Sequence, residues 1–232
     1  MKDYIKIFFS IFSRLKAFFL LAVRGGKMTS ATVPQFFFNS SFSLKGPNNK
    51  LFHTGRTERS QCFIDGDGNT LNLVNTEVSN SIITVSGNNN TILCEEGVKL
   101  RNAVLTIRGN ACSIKIGKGT TFGGVRIINV GTNNVISIGE GCLFADFIEI
   151  WGSDSHPIYN DKDELINKER PIVIKDRVWV GARVIILKGV TIESGSIVGM
   201  GSLVINDVPP ASVTVGNPNR IIKENVRWAL HY

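Results

Sequence analysis

Between Ile172 and Val208 the apolar positions recur every six residues. Ile174, Val180, Ile186, Ile192, Val198 and Val204 form one aliphatic series. Four residues after each member stand Val178, Val184, Val190, Ser196, Ser202 and Val208, all small or β-branched. Gly181, Gly189, Gly195, Gly199 and Gly201 fall between them. A period of six matches neither the 3.6 of a helix nor the 2.0 of an alternating strand. It fits a chain that runs straight for a few residues, turns a corner and repeats. Such a chain is a β-solenoid, in which each coil buries its apolar side against the coils on either side.

A longer repeat precedes this one. Gly87-Asn88, Gly109-Asn110 and Gly131-Thr132 open segments 22 residues apart. In that frame Ile92, Ile114 and Ile136 align, as do Cys94, Ile116 and Ile138, and Leu100, Phe122 and Phe144. Each segment reads as one coil, and Gly/Asn-rich corners such as Gly87–Asn90 suit tight or left-handed backbone. Stacked asparagines there can bond coil to coil. The pattern breaks at 151–171, a polar and charged stretch that cannot fill a coil and is expected to leave the solenoid as a loop. Pro209-Pro210 ends the repeat, since neither residue can donate to a ladder. The expected organisation is a helical segment at 1–27, a linker and irregular start at 28–60, a parallel β-helix at 61–215 and a C-terminal cap at 216–232. Within the cap, 221–232 reads as a short helix.

Composition changes this picture at one end only. Six basic residues against Asp3 give 1–27 a charge of +5, leaving +2 of the total +7 for the other 205 residues. That excludes a nucleic-acid-binding body. Residues 3–24 are rich in Phe, Ile and Leu, but Lys6, Arg14 and Lys16 interrupt them, so neither a spanning helix nor a signal peptide is expected. A basic, aromatic helix suits either an anionic membrane surface or packing on the solenoid or a neighbouring subunit. The four cysteines, Cys62, Cys94, Cys112 and Cys142, form no C-x-x-C pair and have no histidine at zinc-like spacing. They read as buried free thiols of a reducing compartment, with no metal site. His53, among polar residues, reads as exposed or locally bonded.

The run Ile174-Lys-Asp-Arg-Val-Trp179-Val-Gly-Ala-Arg-Val184, with Gly189-Val-Thr-Ile192, Val198-Gly-Met-Gly-Ser202, Pro209-Pro210 and Gly216-Asn-Pro218, resembles the hexapeptide-repeat acyltransferases. Within them it is most similar to the bacterial O-acetyltransferases of surface polysaccharides. The resemblance is strong over 136–223 and weaker before. It implies an all-β, left-handed parallel β-helix, a homotrimer and acetyl-CoA as donor. The left hand comes from the resemblance alone, because crossover chirality by itself favours the right hand. It further implies transfer to a sugar hydroxyl of a surface polysaccharide or its lipid-linked precursor, in the bacterial cytoplasm, and an acceptor made on a lipid carrier suits the reading of 1–27 as a helix at the inner face of the membrane. Two other readings stand beside it: acetylation of a small soluble acceptor (a free sugar, serine or an antibiotic), and a non-catalytic β-helix scaffold.

The resemblance places the catalytic histidine at His156, in Ser153-Asp154-Ser155-His156-Pro157 at the base of the loop. The chemistry fits. A hydroxyl attacking a thioester must lose its proton near neutral pH, and a positioned base contributes roughly 10² to 10⁴ in rate. Asp154, Asp146 and Glu149 are the candidates for fixing its tautomer; where many relatives have an acid one place after Asp146, this chain has Phe147. Ala182 and Met200 match positions whose main chain holds the pantetheine arm. Gly181 or Ala182 is the candidate oxyanion donor. Asn206 stands where relatives carry a phosphate-contacting lysine, Arg220 matches a basic residue near the nucleotide phosphates, and Trp179 matches a frequent family tryptophan.

Overall fold

The structure, a computed structural model, describes residues 4–8, 31–32 and 36–230. Short strands stack into three sheets, parallel save for the terminal strands Tyr4–Phe8 and Arg220–Lys223, and each coil contributes one strand to each face of a triangular prism, the first face being that of Ile148–Trp151, the second that of Ile172–Ile174 and the third that of Trp179–Val180. The expected frame appears as strand register. Ile92 pairs with Ile114 and Ile114 with Ile136; Leu100 pairs with Phe122 and Phe122 with Phe144. The two phenylalanine rings stack at 4.6 Å inside the coil. In the C-terminal coils Ile174 pairs with Ile192, Val180 with Val198 and Ile186 with Val204. Each pair is 18 residues apart, so one hexad lies on each face. The two apolar positions of a hexad are buried together: Val178 with Val180, Val184 with Ile186, and Val190 with Ile192. This is an all-β parallel β-helix, consistent with the left-handed winding expected.

The core is a single column of aliphatic and aromatic side chains running through the prism. Burying each such side chain contributes on the order of 1.5–3 kcal/mol. All four cysteines lie in this column as free thiols. Burial pushes the Cys94 thiol up to about 12 and Cys142 to about 11, which makes both unreactive.

Three expectations need correction. First, coiling begins before residue 61: Phe36–Phe38, Ser41–Lys45, Lys50–His53 and Arg56–Glu58 already pair with the coil above. The apolar signal is weak there because Ser40, Asn49, His53, Thr57 and Ser60 are buried and polar. Their hydrogen bonds are met inside the stack, as by Ser40 Oγ accepting from Ser60 N at 3.0 Å. Second, Tyr4–Phe8 is a strand, antiparallel to Ser41–Lys45, and not part of a helix. Its Tyr-Ile-Lys-Ile-Phe sequence is rich in strand-forming residues, and the rest of 1–27 lies outside the described residues. Third, Arg220–Lys223 forms an antiparallel strand against Val213–Val215 rather than the start of a helix. It pairs with the last parallel strand of the third sheet and becomes the sheet's exposed end strand. Among the described residues no helix is long and apolar enough to cross a membrane.

Candidate functional site

The expected loop leaves the solenoid at the corner between the first and second faces. Trp151 still belongs to the strand Ile148–Trp151, and coiling resumes at Ile172–Ile174. The excursion forms a small hairpin of its own. Tyr159 bridges Leu165, Asn160 Oδ1 accepts from Lys162 N and Glu164 N at 2.9 Å, and the apolar Ile158, Tyr159 and Ile166 are exposed.

His156 is exposed at the neck of this loop. The turn that presents it is held from several sides. Ser153 Oγ accepts from Ser155 N at 2.9 Å, and Ser155 adopts a left-handed φ of 66°. Asn167 Nδ2 donates to the His156 carbonyl at 2.8 Å, while Asn167 Oδ1 accepts from Ile158 N at 2.7 Å. Lys188, from the next coil, donates to Asp154 Oδ2 and to the Asn167 carbonyl, both at 2.6 Å. The Lys188 ammonium, followed by the Asn167 amide, holds the Asp154 carboxyl below its ordinary range, against an opposing contribution from partial burial. Beside it, the Arg170 guanidinium lies against Gly189. A Cβ there would sit 2.7 Å from Arg170 Cζ, and the residue's φ is +80°.

Of the three candidate partners for His156, none meets the imidazole among the described residues. Asp154 is engaged by Lys188 and Asn167. Glu149 Oε2 accepts the Trp151 indole N–H at 2.7 Å. Asp146 lies at the other corner, between the third and first faces. At about 3.3 Å per residue, the strand Ile148–Trp151 separates that corner from the His156 corner by roughly 13 Å. Lys188 and Asn167 are not marked in the sequence, because one sits in a hexad and the other in a loop, and nothing local makes them neighbours.

The candidate donor residues divide between corners. Gly181, Ala182 and Met200 stack at the third-to-first corner, where Gly201 N donates to Ala182 O at 2.9 Å. Gly181 N already donates to Val198 O at 2.8 Å within the ladder, which removes it as an oxyanion donor and leaves Ala182. Gly181 has a different use. A Cβ on it would come within 2.7 Å of Met200 N, so the glycine permits the close stacking of these two coils. Met200 is exposed, as is Arg220 beyond it. Asn206 is instead at the first-to-second corner, two coils on from His156, with its carbonyl bonded by Asn219 Nδ2 at 3.2 Å. Trp179 is partly exposed on the third face, 6.2 Å ring to ring from Trp228, whose indole N–H donates to Arg177 O at 2.8 Å.

One coil below Ala182, an open cleft of about 380 Å³ lies against Asp146, Phe147, Glu149 and Arg126. It exists because the corner below is the side-chain-free pair Gly123-Gly124, whereas the corner at 145–147 is one residue longer. Phe147, 74% exposed, holds a φ of 58°. The same left-handed turn recurs at Asn102 and Arg183 in other coils, so it belongs to the corner, and what is particular to Phe147 is its exposed ring beside the cleft.

No protein-family model matches the chain. The crystal structure of the polysialic acid O-acetyltransferase OatWY superposes on 89% of this chain and 93% of its own, with a TM-score of 0.74 and 30% identity. That of the polySia-specific acetyltransferase NeuO covers 88% and 89%, with a TM-score of 0.70 and 28% identity. A curated polysialic acid O-acetyltransferase of Escherichia coli O1:K1 / APEC is 36% identical over 95 residues. That match takes in 40% of this chain and 31% of the relative, so the matched segment spans under a third of the curated protein's length. The chain belongs to the hexapeptide-repeat acyltransferases.

Proposed function

We propose that the protein is an acetyl-CoA-dependent O-acetyltransferase acting on a sugar hydroxyl of a bacterial surface polysaccharide, with a sialic-acid polymer as the first acceptor to test. The observation that carries this reading is the near full-length likeness to two polysialic acid O-acetyltransferases, joined to a solenoid that is interrupted, among the described residues, at the loop that presents His156.

In the proposed reaction His156 accepts the proton of the attacking hydroxyl. The hydroxyl oxygen bonds to the thioester carbonyl carbon, and the Ala182 N–H stabilises the oxyanion that develops. Collapse of the tetrahedral intermediate breaks the C–S bond, and the CoA thiolate leaves with the proton carried by the imidazolium. The pantetheine arm runs along the corner of Ala182 and Met200, with Trp179 beside it and Arg220 toward the phosphates. The cleft at Phe147 takes the acceptor ring, with Asp146 and Glu149 available to its hydroxyls.

The two halves of this site occupy different corners of one chain, roughly 13 Å apart by strand length. A homotrimer is therefore part of the proposal, since it would set the His156 corner of one copy against the Ala182 corner of the next.

The test is CoA release and product mass with acetyl-CoA and polysialic acid, for the wild type and His156→Ala. The expected outcome is acetylated polymer from the wild type and a loss of at least about 10² in kcat for the variant. Equal turnover by both would remove His156 from the mechanism. Absence of product from any glycan would remove the acetyltransferase reading.

A further inference from the structure

We propose that Lys188 and Asn167 are positioning residues for His156, together forming a clamp across the neck of the loop. The inference rests on the reading of His156 as the general base. Pro157 lies between the two backbone groups that the Asn167 amide holds, the His156 carbonyl and the Ile158 N–H. Proline has no N–H of its own, so this one side chain supplies the hydrogen bonds on both sides of it. Asn167 is fixed in turn. Its amide also donates to Asp154 Oδ2 at 2.9 Å, and its carbonyl accepts from Lys188 Nζ. The Lys188 side chain is only 10% exposed, and its ammonium joins the outgoing limb of the loop, at Asp154, to the returning limb, at Asn167.

The imidazole itself is left clear of this network among the described residues. The clamp thus sets where the His156 backbone stands without occupying the ring nitrogen that must take a proton. Misplacing a reacting group by 1 Å can cost about 10²-fold in rate, so a loose neck would appear in turnover before it appeared in folding.

The experiment is a double-mutant cycle with an activity-independent readout beside it. Asn167→Ala and Lys188→Met should each lower kcat by about 10-fold or more, leave the KM for acetyl-CoA unchanged, and shift Tm by only a few degrees. Lys188→Arg, which keeps the charge, should recover much of the loss. In a His156→Ala background, Asn167→Ala should cost almost nothing further, because a residue acting through His156 has nothing left to position. Full additivity in that cycle would overturn the proposal while leaving the acetyltransferase reading intact. Hydrogen exchange at the Ile158 amide needs no turnover. The amide should be protected in the wild type and exposed in Asn167→Ala and Lys188→Met. Unchanged exchange would overturn the clamp even for a protein that transfers no acetyl group.

Discussion

At the scale of single residues, the most informative side chain outside the site is His53. It is fully buried in one of the first described coils. Nδ1 is 3.0 Å from the Leu73 carbonyl and 3.3 Å from the Gly55 N–H, and Nε2 meets the Thr57 hydroxyl. The neutral ring is favoured by burial rather than by these bonds, since the Thr57 hydroxyl can accept as well as donate. Burial lowers its pKa to about 4, with the Leu73 bond opposing. Between about pH 6.5 and 4 the unfolded chain therefore binds a proton that the native chain does not, so stability falls as pH drops through that window. The full loss is about 3 kcal/mol at 1.36 kcal/mol per unit. Denaturant melts at pH 7 and pH 4 should show it, and His53→Gln should flatten the dependence; an equally steep profile in that variant would assign the loss to other groups. In sequence His53 reads as exposed or locally bonded because its neighbours are polar, yet in a solenoid the neighbours that decide burial are about 20 residues away. Lys188 and Asn167 are hidden for the same reason, while His156 is singled out by the family resemblance, the break in the period marking only the loop around it.

At the scale of elements, what the sequence shows well is whatever depends on side-chain alternation. The 22-residue frame predicts which residues pair, since each coil must place its apolar residues over those of the last, whereas the six-residue period leaves it to the structure to show that three hexads make a coil. The start of the solenoid is illegible where polar residues replace apolar ones inside it. There the stack is held by a ladder of buried asparagines. Asn49 Oδ1 accepts from Asn69 N and Nδ2, Asn69 Oδ1 from Asn90 N and Nδ2, and Asn90 Oδ1 from Cys112 N, all at 3.0–3.1 Å. Asn90 Nδ2 also donates to Gly109 O at 2.8 Å. Replacing Asn90 with Ala leaves the Cys112 N–H and the Gly109 carbonyl buried without these partners. Each such group costs about 1–3 kcal/mol, so the variant should lose roughly 2–6 kcal/mol in urea denaturation. A change below about 0.5 kcal/mol, the usual range of a surface substitution, would mean that water or backbone shifts replace the ladder.

For the whole molecule, the decisive fact is that one chain does not assemble the proposed site. His156, Asp154 and Asn206 stand at one corner of the prism, and Asp146, Ala182 and Met200 at another. The family resemblance in the sequence names these residues, but residue spacing does not say that a solenoid face lies between them. If neighbouring copies complete the site, light scattering should give three times the chain mass, and defects on opposite corners should complement. His156→Ala removes the base from every copy. Ala182→Phe fills the donor corner but leaves each His156 intact. Either variant alone should be inactive. Co-expression in equal amounts forms mixed trimers in which some interfaces pair an intact His156 with an intact donor corner, and random assembly makes these roughly a quarter of all sites. Activity returning to about that level would establish a site shared between subunits. A mixture as inactive as its parents, with mixed trimers verified by mass, would mean that both halves must come from one chain, and the loop at 152–171 would then have to swing across its own first face to reach Ala182.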